Sequence, residues 1–356
     1  KITKMRRNFF RVLKRADYTK ERRHGAAMKI LFITAHRIGD AVLSTGLLRH
    51  LTDAYPGAEI TVACGPLGAD LFKAVPGLAA IIPMPKQSYN RHWLDLWRRC
   101  IGQHWDMIVD LRDSLASCLL HRNRRYAYRP RPGLHKARVN AAIMGLTPPP
   151  APKIWIDAAA EREAGALTAG AAPILALAPA ANWPAKQWPP EHFAALIEAL
   201  LAAPDWRGSR IMVLAAAHER EQILPVLQAV PAGRAIELIG APLLLAAACL
   251  CRANILIGND SGLMHLAAAV ETPTLGLFGP GDAEIYGPWG AHTAIVRTPE
   301  TAAELLARMP AAGMPVPSLM GSLTVATVAG ATLGLLASGK RDDLHRAASS
   351  SFDDQL

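Results

Sequence analysis

The sequence predicts an α/β protein built from two Rossmann-like domains in tandem. Three observations carry this. Short apolar runs of strand length alternate with helical stretches, first over 29–110 and again over 173–278; such alternation marks βαβ units and parallel sheets. The chain has 356 residues, enough for about two domains of ~150 residues. Pro148, Pro149, Pro150 and Pro152 form a stiff stretch between the two series.

In the first series, residues 29–34 read as a buried strand, 36–40 as a loop and 41–51 as a helix with Val42, Leu43 and Leu47 on one face. Tyr55, Pro56 and Gly57 end that helix. Strands follow at 59–63, 79–82 and 107–110, with a helix at 69–75. The basic segment 121–138 interrupts the pattern. In the second series, 173–178, 210–214, 235–239, 253–258 and 274–278 read as strands, and 191–201, 219–229, 243–251 and 263–270 as helices. The expected organisation is a basic N-terminal extension over 1–27, a first domain over 28–152, a second over 153–318 and a C-terminal segment over 319–356.

Composition narrows the class. At 51% hydrophobic the chain is not a disordered one. Its five cysteines show no CxxC pair and no zinc spacing, which favours a reducing compartment over a disulfide scaffold. The net charge of +10 is concentrated: residues 1–27 hold ten Lys/Arg against Asp17 and Glu21, and residues 86–138 hold twelve against four Asp. Two such patches on a mildly acidic body attract phosphates on nucleic acid, membrane or an anionic substrate. The apolar stretch 323–337 is interrupted by Thr and Gly and falls short of the ~20 residues of a membrane span. The apolar residues of 1–27 are too few for a secretory signal. That segment reads as a basic amphipathic helix or arm, or as a solvated tail upstream of a start at Met28.

In open parallel sheets, ligands bind at the carboxyl ends of strands. Four such loops carry unusual polar residues. The first, His36-Arg37-Ile38-Gly39-Asp40, ends on an Asp at a helix start, either an N-cap or a carboxylate base at a cleft mouth. No GxGxxG or GxxxxGK[ST] follows the strand, so dinucleotide and P-loop sites lose their main support. The second loop, 181–191, sets Lys186 between Trp183 and Trp188, either a surface lysine or a phosphate ligand aided by helix amides. In the third, Glu219 either complements a helix dipole or holds a ribose hydroxyl pair. The fourth, Gly258-Asn259-Asp260-Ser261-Gly262-Leu263-Met264-His265, is the sharpest. Its glycines permit close backbone approach, and its amides form an anion nest. Asp260 and His265 add groups for a sugar or phosphate, against the alternative of a capped turn with a core histidine.

These residues resemble a known family, the lipopolysaccharide heptosyltransferases of glycosyltransferase family nine. The resemblance rests on M-K-I-L-F-I-T-A-H-R-I-G-D-A-V-L-S-T, N-W-P-A-K-Q-W-P-P-E-H-F, G-N-D-S-G-L-M-H-L-A-A-A and T-P-T-L-G-L-F-G-P. It implies a GT-B fold, two Rossmann-like domains facing a central cleft. It also implies inverting transfer of heptose from ADP-heptose to the inner core, a lipid A–Kdo acceptor. Asp40 matches the general base, Lys186 a contact to the donor diphosphate and Glu219 an acidic residue near the ribose. Asp260, Ser261, Gly262 and His265 match the donor-binding turn. The segment after Leu319 resembles one that packs back toward the first domain.

The residues suit that chemistry. Sugar transfer needs a base, positive charge on the leaving diphosphate and a dry cleft. The sequence has no DxD triplet, so Lys186 and helix amides are expected to serve without a metal, and no cofactor is expected. Arg37 and the basic stretch with Arg122, Arg124 and Arg125 are expected to grip the acceptor's phosphates and carboxylates. The basic arm is expected to hold a cytoplasmic enzyme on the anionic inner-membrane surface, at ~1 kcal/mol per basic residue. Three other readings compete: a family-nine transferase for another nucleotide sugar, a silent sugar-nucleotide-binding module and a nucleic-acid-binding protein. Against the last, 121–138 offers only Tyr126 and Tyr128 for stacking and no RNP-type strand.

Overall fold

Two parallel sheets organise the chain. The computed structural model describes residues 27–311 and 313–337. The expected N-terminal arm and the end of the C-terminal segment lie outside the described residues. The first sheet contains β1 (Lys29–Ile33), β2 (Glu59–Cys64), β3 (Leu78–Pro83), β4 (Trp105–Asp110) and β5 (Arg122–Ala127) in the order β3-β2-β1-β4-β5. The second contains β6 (Ile174–Ala178), β7 (Arg210–Ala215), β8 (Ala235–Ile239), β9 (Ile255–Asn259), β10 (Thr274–Phe278) and β11 (Thr293–Arg297) in the order β11-β10-β9-β6-β7-β8. Every strand pairing in both is parallel. The central strands β1, β6, β9 and β10 are buried almost throughout. Their unbroken Ile, Leu, Phe and Ala suit parallel strands covered on both faces.

The helices that shape the cleft are α1 (Ile38–Ala54), α2 (Arg91–Cys100), α3 (Lys136–Ala142), α4 (Ala158–Leu167), α5 (Pro190–Ala202), α6 (Leu243–Leu250) and α7 (Gly262–Ala269). One apolar cluster crosses between the two halves. It joins Val42 and Leu47 of α1 to Leu244 of α6 and to Met264 and Leu266 of α7.

Several elements differ from expectation. The expected helix over 219–229 is two 3-10 turns, Ala217–Glu219 and Glu221–Ile223, and then a short helix, Leu224–Ala229. Pro225 is the reason: it lacks an N–H and is tolerated only in a first turn, so the helix restarts there. The segment expected to be helical over 69–75 is the 3-10 turn Pro66–Phe72, closed by Pro76. The basic segment 121–138 is not an interruption. It supplies edge strand β5 and the start of α3. The C-terminal segment, as far as it is described, lies on the second domain rather than the first. Met320, Leu323 and Val328 join the core of Trp188, Phe193 and Leu196. The Trp188 Nε1–H donates to Leu323 O at 2.8 Å, as a fully buried indole N–H must find an acceptor. Among the described residues, no helix is long and apolar enough to cross a membrane.

Candidate active site

In each sheet the chain reverses direction between two central strands, β1 and β4 in the first and β6 and β9 in the second. Such switch points open a crevice at the strands' carboxyl ends. The loops leaving these four strands carry Asp40, Arg112, Lys186 and Asp260.

Helix α1 starts at Ile38, three residues earlier than expected. Arg37 is its N-cap in backbone terms, without a side-chain cap bond. Asp40 therefore stands inside the first turn and is not an N-cap. There the helix dipole favours a carboxylate. Asp40 is half-buried and, among the described residues, forms no hydrogen bond or ion pair. It lines a recess of about 30 Å³ with Thr34, Ala35, Leu111, Arg112, Lys136 and Asn140. The Arg112 loop is rigid for a clear reason. Buried Asp110 accepts hydrogen bonds from the backbone N–H of Arg112 at 2.8 Å, from that of Ser114 at 2.7 Å, and from the Ser114 and Ser117 hydroxyls at 2.7 Å each. A buried carboxylate is tolerable only when its oxygens are filled in this way.

On the second domain, Lys186 closes a 3-10 turn, Pro184–Lys186. Its Nζ lies 2.5 Å from Asp260 Oδ2. Burial pushes the Asp260 carboxyl above its ordinary range, and Lys186 opposes that. Asn259, fully buried, fastens the lysine loop: its Oδ1 accepts the Trp188 N–H at 3.0 Å, and its Nδ2 donates to Pro179 O at 2.7 Å. Ser261 is the N-cap of α7, and its buried hydroxyl has no partner. His265, one turn into α7, is held neutral by burial, its pKa lowered to about 3, with His135 and Lys186 adding to the effect.

The two walls meet through glycines. A Cβ on Gly262 would come within 2.8 Å of Ile38 Cγ2, and one on Gly39 within 2.8 Å of His265 Cδ2. The N-termini of α1 and α7 thus touch backbone to side chain, which brings Asp40 beside the Asp260 loop. His135 ties the seam from another side. Its Nδ1 accepts the Ala137 N–H at 3.1 Å, capping α3, and its Nε2 lies 3.0 Å from Gly287 O. Its ring stacks on Trp289 at 4.5 Å. Tyr286 senses both walls. Its phenol is pushed up first by burial, then by Asp40 and Tyr128, with Asp260 adding and Arg37 opposing.

The structure thus gathers Asp40, Lys186, Asp260, Ser261, Gly262 and His265, with exposed Arg37 at the rim. Other expected residues have internal partners. Arg122 donates to Cys118 O and Leu120 O at 2.7 and 2.8 Å. Arg125 donates to Ser117 Oγ at 2.8 Å and pairs with Asp113 at 2.7 Å. Arg124 is exposed on the same edge strand. Glu219 accepts the Ala216 N–H at 2.8 Å through one of its two carboxylate oxygens, Oε2. Arg112, Lys136, Asn140, Tyr286 and His135 were not singled out in the sequence. The one linear signal for Arg112 was its place just past the β4 strand end.

A sugar nucleotide needs a cation and helix amides for its diphosphate, and its acceptor needs a base. Two Rossmann-like parallel sheets whose strand ends open on a shared cleft make the GT-B class of fold, and this fold is of that class. The chain belongs to glycosyltransferase family 9 (heptosyltransferase), which matches residues 134–311. It is 26% identical over 323 residues to lipopolysaccharide heptosyltransferase 2 of Salmonella typhimurium, an alignment covering 76% of this chain and 88% of that protein. Among solved structures it resembles E. coli ADP-heptose LPS heptosyltransferase II, with a TM-score of 0.67 and 22% identity over 88% of this chain and 100% of that one. It also resembles E. coli heptosyltransferase WaaC with ADP, with a TM-score of 0.64 and 20% identity over 86% and 100%. At the level of the family, the activity is heptose transfer in lipopolysaccharide synthesis.

Proposed function

We propose that this chain is an inverting, metal-independent glycosyltransferase that moves a heptose from ADP-heptose to a lipid A–Kdo type acceptor, with Asp40 as the general base. The observation that carries this reading is the unpartnered Asp40 carboxylate at the carboxyl end of β1, on the wall facing the Lys186–Asp260 loop. In the transfer, an acceptor oxygen attacks the anomeric carbon from the face opposite the diphosphate. The carbon–oxygen bond to the diphosphate breaks with inversion, and Asp40 takes the acceptor's proton. Lys186 and the N-terminal amides of α7 neutralise the leaving ADP. Ser261, Gly262 and His265 shape that donor turn, and Glu219 borders the ribose. The similar solved structures support this donor: one is an ADP-heptose LPS heptosyltransferase and the other is a heptosyltransferase with ADP. The domain limits at 152 and 318 and a cytoplasmic site on the anionic inner membrane, reached through the basic arm, belong to the same reading.

The test pairs kinetics with binding. Asp40→Asn should lower kcat by about 10²–10⁴-fold while the Kd for ADP stays within a few fold of wild type. A parallel loss of ADP binding would make Asp40 structural and sink the base assignment. Titration with ADP, UDP and GDP should show selective binding of ADP, and activity should survive chelation with EDTA.

A further inference from the structure

One side chain of the seam makes two hydrogen bonds whose partners fix where its protons sit. His135 stands in the first domain, at the start of α3. A backbone N–H only donates, so the Nδ1 that faces the Ala137 N–H at 3.1 Å carries a lone pair. A carbonyl oxygen only accepts, so the Nε2 that faces Gly287 O at 3.0 Å carries the proton. Gly287 lies in the second domain, 152 positions further along the chain. The neutral Nε2–H tautomer therefore caps α3 and reaches across the seam at once. An imidazolium has no lone pair on Nδ1, so a second proton breaks the cap.

The loop on the far side of this bond runs back to the donor turn. Gly287 follows the turn Ala283–Tyr286 and precedes Trp289, whose ring meets both His135 at 4.5 Å and the Arg138 guanidinium at 5.6 Å. At the loop's other end, a Cβ on Gly281 would come within 2.5 Å of Asp260 Oδ2 and 3.4 Å of Lys186 Cε. A tie at residue 287 thus bears on how closely this loop holds the lysine that faces the diphosphate.

The surroundings give an imidazolium no partner. On α3, Arg138 repels it, and Lys136 turns to the Tyr128 ring at 4.5 Å. His265 on α7 is itself neutral. Across the seam, Tyr286 is an uncharged phenol. Asp282 is exposed and accepts the N–H groups of Glu284 and Ile285 at 3.0 and 3.2 Å, and Glu284 is exposed. Among the described residues no carboxylate pairs with His135. Burial lowers its pKa from 6.5, the bond to Gly287 O opposes that shift and Arg138 adds to it. The clasp is therefore complete at neutral pH and is lost as the pH falls through a value below 6.5.

We propose that His135 is a positioning residue: its neutral Nε2–H form clasps the 281–289 loop of the second domain to the first, and protonation of this one ring opens the seam and stops transfer. The loss of transfer rests on the reading of the chain as a transferase; the clasp does not.

The experiment measures kcat from pH 7.5 to 5 for wild type, His135→Gln and His135→Asn. Gln keeps an N–H that reaches toward Gly287 O and does not titrate. Asn keeps an acceptor for the Ala137 N–H and is too short for Gly287 O. Wild-type kcat should fall by about tenfold or more across this range. His135→Gln should vary less than threefold, and His135→Asn should stay at the acid level of wild type throughout. An acid limb of unchanged midpoint and depth in His135→Gln overturns the proposal. NMR of wild-type protein carrying ¹⁵N-histidine gives a readout without turnover. It should show His135 as the Nε2–H tautomer at pH 7.5, titrating below 6.5, with exchange protection of the Ala137 amide lost over the same step. The Nδ1–H tautomer, or an imidazolium at pH 7.5, overturns the clasp. Tautomer and exchange step without heptose transfer in any of the proteins uphold the clasp and remove the transferase reading. Transfer with no His135-dependent pH step removes the proposal alone.

Discussion

His265 shows how a single side chain in the cleft wall ties stability to pH. Its ring is buried against Gly39, and burial lowers its pKa from 6.5 to about 3. Between those values the unfolded chain binds a proton that the native state refuses. Stability therefore falls as the pH drops from about 6.5 toward 3. One such group supplies at most about 1.4 kcal/mol per pH unit. Asp260 acts in the opposite sense just above 3.8, where its raised pKa lets the native state hold the extra proton. Urea midpoints measured from pH 7 to 4.5 should decline in wild type and decline less in His265→Gln. Equal slopes in the two proteins would assign the acid sensitivity elsewhere.

At the scale of the element, the loop from β6 to α5 works because a residue on another strand holds it. Its Trp, Pro and Lys residues are conspicuous in the sequence, but the tie comes from Asn259, 71 positions from Trp188. Asn259→Leu preserves bulk and leaves the Trp188 N–H and Pro179 O unpaired. The expected loss is about 2–4 kcal/mol, or roughly 5–10 °C in Tm. Donor affinity should weaken too, since Lys186 sits in that loop. Calorimetry together with ADP titration checks both, and a stable variant with loosened ADP binding would confine Asn259 to the ligand. Helix α1 makes a related point. Its start at Ile38 rather than Ala41 goes with the packing of Ile38 against Gly262 of the other domain. That contact is invisible to helical periodicity.

At the scale of the molecule, the cleft exists because two domains clasp along a seam without side chains on Gly39 and Gly262. Gly262→Ala places a methyl group within 2.8 Å of Ile38 Cγ2. Ile38 or the seam around it must shift by a few tenths of an ångström. Misplacement on that scale should lower kcat by roughly tenfold to a hundredfold, with secondary structure unchanged by circular dichroism. His135→Ala, which removes the bond to Gly287 O and the Trp289 contact, should act in the same direction. Wild-type kcat in both variants would show that the seam is not needed to bring the walls together.

The local grammar of this chain carries a great deal. Runs of five or six apolar residues announce the parallel strands, because a strand covered on both faces needs no alternation. The polar loops that follow β1, β6 and β9 mark the cleft, because a parallel sheet presents its strand ends to one side. Asp40, Lys186 and the 260–265 turn were legible for that reason. Edge strand β5 was not, because its outward arginines mask a partly buried strand. Nor were the partners of its arginines, which lie on the neighbouring loop that only sheet pairing brings near. The same holds for Arg112, Lys136 and Asn140, which come from the β4 loop and α3 and converge on Asp40 from two separate segments. Sequence by itself determined the strands, the switch-point loops and the chemistry they offer. Tertiary structure alone decided which charges are spent inside the protein and which face the cleft. Pairing between side chains depends on distance in space, and here the distances are set by how the two domains fold and meet.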